Sequence, residues 1–141
     1  MSDQITRLNP ATMPDSSAAG YSQISIVEAG RVAHVSGQVA ASADGAPVPE
    51  GLAGQVRVAL VNAGAALGAL GATPSDIAIA RVYVTDLTSE RLAVLMPQLT
   101  AFFDGARPSL TGIGVAALAS PAFQVEIELT VRVPDQAAIG T

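Results

Sequence analysis

Arg107 to Val133, RPSLTGIGVAALASPAFQVEIELTVRV, carries the most regular pattern in this chain. In its second half Phe123, Val125, Ile127, Leu129, Val131 and Val133 fall on one side. Gln124, Glu126, Glu128, Thr130 and Arg132 fall on the other. A period of two held over that length, rich in β-branched side chains, specifies a long strand with one apolar face. Ahead of it, Arg107-Pro108 breaks the preceding helix and Thr111 to Ala116 reads as a shorter strand. Ala119-Ser120-Pro121-Ala122 has the chemistry of a turn, so the two strands are expected to pair antiparallel across it.

Upstream, Ser89 to Phe103 places Leu92, Leu95, Met96, Leu99 and Phe103 on one helical face, with Pro97 inside. An interior proline removes a hydrogen bond and costs roughly 3 kcal/mol if uncompensated, so a kink or a restart is expected there. Ile77 to Thr85 alternates like a strand. Glu50 to Leu70 is a helix with Leu52, Val56, Leu60, Ala63 and Leu67 in one stripe, capped by Gly71 with Pro74 beyond. Tyr21 to Glu28 and Arg31 to Val35, joined by Ala29-Gly30, read as a β-hairpin. Ile5 to Leu8 is a short first strand, Ala11 to Gly20 and Ala41 to Pro49 are loops, and the tail PDQAAIGT is expected to fray. Helices and strands mixed in this order predict an α+β layer architecture in one domain, 1–141.

Composition narrows the chemistry. Half of the 141 residues are hydrophobic, 13% are charged and 4% aromatic, so Val, Leu, Ile and Ala build the core. That much apolar surface on a small domain favours an oligomer. Net charge is −5, and the basic residues are arginines spread singly, unlike the clustered basic surface of a nucleic-acid binder. With no Cys there is no thiolate nucleophile; the absence of Lys excludes Schiff-base chemistry. The lone His34 makes a catalytic zinc site improbable and reads as a packed or solvated strand residue. No cofactor motif is present. Met1 to Pro10 lacks the pattern of a secretory signal, and Val56 to Leu70 is too short and interrupted for a membrane span, so a cytoplasmic protein is expected.

The proline-led strand ending GVAAL, the short loop and VEIE resemble the C-terminal signature of the RidA/YjgF family of reactive enamine/imine deaminases. Ser36-Gly37-Gln38, the helix exit GALGATPSDI and the strand end YVTDL are similar to the family at three further places. The resemblance implies a YjgF-like (chorismate-mutase-like) fold, a six-stranded mixed sheet with two helices packed on one face. It further implies a homotrimer with small-molecule clefts between subunits, no cofactor and no metal. Among the implied site residues Glu126, first glutamate of VEIE, is the candidate catalytic group, orienting water or shuttling a proton. Tyr21 borders the cleft, and Ser36 and Gly37 present backbone to the ligand. Thr111 and Gly112 supply further backbone donors.

The family's usual RPART or RPARS is here Arg107-Pro108-Ser109-Leu110-Thr111, so its substrate-carboxylate arginine falls on Leu110. A cleft asparagine of the second helix falls on Met96. Two polar contacts replaced by Leu110 and Met96 imply a more apolar pocket and make ordinary 2-iminoacid deamination doubtful. Three functions stay open: a deaminase-like hydrolase with altered substrate, a non-catalytic binding or regulatory trimer, and a repurposed biosynthetic enzyme acting on an apolar substrate. Nucleic acid and membrane are not expected partners.

Overall fold

The computed structural model describes residues 4–140. Its strands are β1 (Ile5–Leu8), β2 (Ile24–Val27), β3 (Val32–Gln38), β4 (Ile77–Thr85), β5 (Ser109–Val115) and β6 (Val125–Arg132). Two helices, α1 (Leu52–Ala69) and α2 (Ser89–Phe103), complete the α+β architecture. The strands divide into a four-stranded mixed sheet, ordered β3-β6-β4-β5, and a separate two-stranded ribbon of β1 and β2. A single bridge, Ser22 to Ser109, links ribbon and sheet.

Two expected hairpins are not formed. β2 pairs with β1, while β3 pairs with β6. Gly30 at the would-be turn makes room instead for the Arg132 side chain, whose guanidinium a Cβ there would strike. That guanidinium is buried and donates to the carbonyls of Glu28, Ala29 and Val133, to Gln4 Oε1 and to Asp135 Oδ1. Nor do β5 and β6 pair. β4 lies between them, parallel to β5 and antiparallel to β6. A parallel neighbour requires a crossover, and α2 supplies it between β4 and β5. The alternating residues keep the faces foreseen for them; the neighbours differ.

One face of the sheet is dry. Val125, Ile127, Leu129 and Val131 of β6 and Ala80, Val82 and Val84 of β4 pack on Val56, Ala59, Ala63, Leu95, Leu99 and Phe103. The helical period of α1 aims its buried positions at this face, burial that stabilises by about 25 cal/mol per Å² of apolar surface. By length and composition alone, 18 residues of mean hydropathy 1.2, α1 reaches the minimum for a membrane span; its stripe lies against the sheet. Buried Gln55 ties α1 to two loops, donating to the carbonyls of Pro49 and Ala122 (both 2.8 Å) and accepting from the Gln124 amide.

Gly71, at φ +63°, stops α1 as expected: its N–H reaches the Gly68 carbonyl and that of Ala72 the Leu67 carbonyl. α2 starts where the Thr88 hydroxyl accepts from the Arg91 amide and runs through Pro97 without a restart. The tail does not fray among the described residues. It folds back so that the Gly140 amide meets the Ala69 carbonyl at 2.7 Å.

Candidate functional site

The two faces of the sheet hold two separate groups of the residues expected to form the site. On the helix side, Leu110 and Gly112 of β5 stand beside Ala80 and Val82 of β4. With Tyr21, Leu92, Met96 and Leu99 they wall an apolar recess of about 360 Å³ between α2 and the edge strand. Leu110 and Met96 are partly buried against the core. Leu110 therefore extends the hydrophobic surface of α2 to the sheet edge.

On the open side, Glu126 lies across Gly37. Between the pairs Val35–Leu129 and Gln38–Ile127 the ladder shifts, so that Ser36 and Gly37 together oppose Glu128. Such a bulge re-aims one residue of the strand and turns Gly37 to the open face. A Cβ on Gly37 would stand 2.6 Å from Glu126 Cγ and 2.7 Å from its Oε2. Glycine is needed here for space; its φ is outside the left-handed region. The Gly37 backbone and the Glu126 side chain thus lie close together. The Glu126 carboxylate takes part in no hydrogen bond or ion pair among the described residues, so it is available to water or ligand.

Two neighbours on this face were not singled out from the sequence. Tyr83 faces Glu126 across the β4–β6 pair, and Arg81 faces Glu128. The Tyr83 hydroxyl donates to Glu128 Oε1 at 3.0 Å, and Arg81 Nη1 lies 3.7 Å from the same oxygen. Accepting that hydrogen bond, Glu128 pushes the Tyr83 phenol above its usual range. The signal was present in IAIARVYVT: the arginine and tyrosine occupy alternate positions opposite the buried Ala80, Val82 and Val84. Glu128 is thereby engaged with Tyr83 and Arg81, whereas Glu126 is not.

Thr111 points to the open side, away from Leu110 and Gly112. With Arg81, Thr130 and Ile24 it lines a second cavity of about 480 Å³ where the β1–β2 ribbon approaches the sheet. His34 is exposed on the open side, opposite Thr130. Of the remaining arginines, Arg91 is held by the Thr85 carbonyl (3.2 Å) and Gln124 Oε1 (3.1 Å), and Arg107 sits in the loop before β5. Neither stands where Leu110 is. No group of three or more His, Asp or Glu suited to a metal occurs among the described residues.

Comparison with known proteins gives consistent matches. Residues 12–133 match the model of the family Endoribonuclease L-PSP. The RutC family protein YjgH of Escherichia coli (strain K12) is 34% identical over 110 residues, covering 78% of this chain and 82% of its own. Among solved structures, the conserved Rid-family protein YyfB of Yersinia pestis, of unknown function, superposes with a TM-score of 0.86 at 37% identity. The match covers 92% of this chain and 98% of that one. Rv2704 of Mycobacterium tuberculosis, a member of the YjgF/YER057c/UK114 family, gives a TM-score of 0.63 at 30% identity, over 92% and 99% of the two chains.

Proposed function

The chain belongs to the Endoribonuclease L-PSP family, the YjgF/Rid group, and on that premise we propose that it handles small reactive enamines, imines or ketones in clefts shared between three copies. The observation carrying this reading is the uncommitted Glu126 carboxylate lying over Gly37, on the sheet face opposite the apolar Leu110–Met96 recess. One sheet separates the two groups, so a ligand touching both needs a second copy to bring one group to the other. The exposed Ile24, Ile26, Val27 and Val32 on and beside the β1–β2 ribbon are apolar surface that such assembly would cover.

In the hydrolytic form of the reading, Glu126 accepts a proton from a water as the oxygen adds to the imine carbon. Glu126 returns that proton to the nitrogen, the hydroxyl proton of the resulting carbinolamine passes to the same nitrogen, and as the C–N bond breaks the oxygen becomes the product carbonyl and ammonia leaves. Leu110 and Met96 supply no donor for a substrate carboxylate, which favours substrates whose reacting carbon carries an apolar group. A non-catalytic binding trimer is the second reading, favoured by the same recess. Ribonuclease chemistry is disfavoured: the net charge is −5, and buried Arg132 is occupied by inward contacts. We place the protein in the cytoplasm, acting without a cofactor.

The test is a coupled assay of keto-acid release from freshly generated 2-iminopropionate. The wild type is expected to be slow. Leu110→Arg restores a two-pronged carboxylate contact and raises turnover about ten- to hundredfold, the value of a charge-assisted hydrogen bond. Brisk wild-type turnover would remove the reason for an apolar substrate. Silence from both proteins would favour the binding reading.

A further inference from the structure

At the end of the sheet where β5 begins, a polar recess of about 510 Å³ lies between β1, the turn before β4 and the Asp104–Arg107 loop. It shares no lining residue with the apolar recess or with the open-face cavity. Arg7 enters it from β1. Its guanidinium is half-buried and donates to neutral acceptors only: Ser25 Oγ (2.6 Å), the Ile77 carbonyl (2.6 Å) and, more weakly, the Ser75 carbonyl (3.4 Å). No carboxylate of the described residues lies within ion-pair distance, and burial pushes its pKa down. Asp76, the acid that acts on it, is turned instead to the Thr73 amide at 2.9 Å.

The other walls also present donors. Ser22 is 2% exposed, and its hydroxyl has no hydrogen-bond partner among the described residues. Asn9 Oδ1 accepts from Ser16 Oγ and the Gln23 amide, while its Nδ2 makes no hydrogen bond among the described residues. Arg107, exposed at the rim, makes no hydrogen bond or ion pair among the described residues. The one acid of the lining is Asp104; Asp15 and Asp76, outside it, act on Arg107 and Arg7 from a distance without an ion pair. A half-buried cation with no ion-pair partner among the described residues, an orphan buried hydroxyl and spare amide protons form a surface short of acceptors.

We propose that this recess is a second binding site, taking a small molecule through a carboxylate or phosphate group held between Arg7 and Arg107. An oxyanion supplies the several lone pairs that these donors lack, and Asp104 favours a singly charged group over a more highly charged one. The site is independent of whatever the Leu110 recess holds.

Thermal melting and calorimetric titration of the full chain with sodium acetate, and separately with inorganic phosphate, test it against sodium chloride at matched ionic strength. Saturable stabilisation by either anion, absent with chloride, is expected. Acetate alone would name a carboxylate ligand, phosphate alone a phosphorylated one. Arg107→Gln, on an exposed loop, should weaken binding about ten- to hundredfold. Ser22→Ala should raise the melting temperature of the ligand-free protein while shrinking the anion-induced rise. Arg57→Gln, on the outer face of α1, should bind as wild type. The site is overturned if neither anion exceeds chloride, if Arg107→Gln and Ser22→Ala bind normally, or if Arg57→Gln weakens binding equally.

Discussion

Replacing Gly37 by alanine probes the join between the bulge and the candidate catalytic glutamate. The added methyl would sit 2.6 Å from Glu126 Cγ, against at least 3.4 Å for an ordinary contact, a deficit of 0.8 Å (3.4 − 2.6). Because Cγ is involved, moving only the carboxylate end cannot relieve it; the side chain must leave its present rotamer. Overpacking of this kind costs about 1–3 kcal/mol, and a forced off-rotamer angle accounts for about 0.5–1.5 of it. A loss of about 1–2 kcal/mol is therefore expected. In a Glu126→Ala background the obstacle is gone. There Gly37→Ala should be neutral or stabilising by about 0.4–1 kcal/mol, through the less flexible unfolded chain. Urea unfolding of the four proteins at one protomer concentration measures the coupling, expected at about 2 kcal/mol. Equal destabilisation in both backgrounds would show that Gly37 does not exist to accommodate Glu126, and the contact would lose its place in the site.

Tyr83 holds its proton more tightly in the fold than as a free phenol, because deprotonation would set a phenolate beside Glu128. Its contribution to stability is full below the ordinary tyrosine value near 10 and is lost as pH rises through the higher native value. A phenolate absorbance titration should show one of the two tyrosines titrating late, and Glu128→Gln should remove the delay. Gln55→Ala removes the partner of the Pro49 and Ala122 carbonyls and of the Gln124 amide in part-buried surroundings; about 1–3 kcal/mol of stability should vanish in a denaturant titration, and the volume-preserving Gln55→Leu should restore little of it. For assembly, light scattering should return three times the 14.1 kDa of one chain, and charging the ribbon by Ile26→Lys should lower that mass.

Alternation made faces legible and neighbours illegible. The buried side of β6 and its polar opposite could be read residue by residue, because a period of two is a local property of the backbone. Which strand lies beside β6 depends on how α1 and α2 carry the chain over the sheet, and no turn dipeptide encodes that. Ala29-Gly30 looked like hairpin chemistry; its glycine answers to Arg132, about a hundred residues away in sequence. The bulge at Ser36-Gly37 flips one residue's face and is silent in the hydrophobic pattern. The cluster of Tyr21, Met96, Leu110 and Gly112 was legible through family motifs, not through periodicity. Arg81 and Tyr83 were overlooked because a polar position on an amphipathic strand ordinarily faces solvent.

The order β3-β6-β4-β5 has a consequence for how the chain is born. While a ribosome is still short of Val125, β3 and β4 have emerged with no strand to lie between them, and within the four-stranded sheet only the parallel β4–β5 ladder can begin to zip. The wedge that completes the sheet is the last strand synthesised. Its apolar face must then find α1, made more than fifty residues earlier and until that moment without a full floor beneath it. Such long-range closure slows folding and leaves α1 and the edges of β3 and β4 open to chaperones or to other nascent copies in the interval.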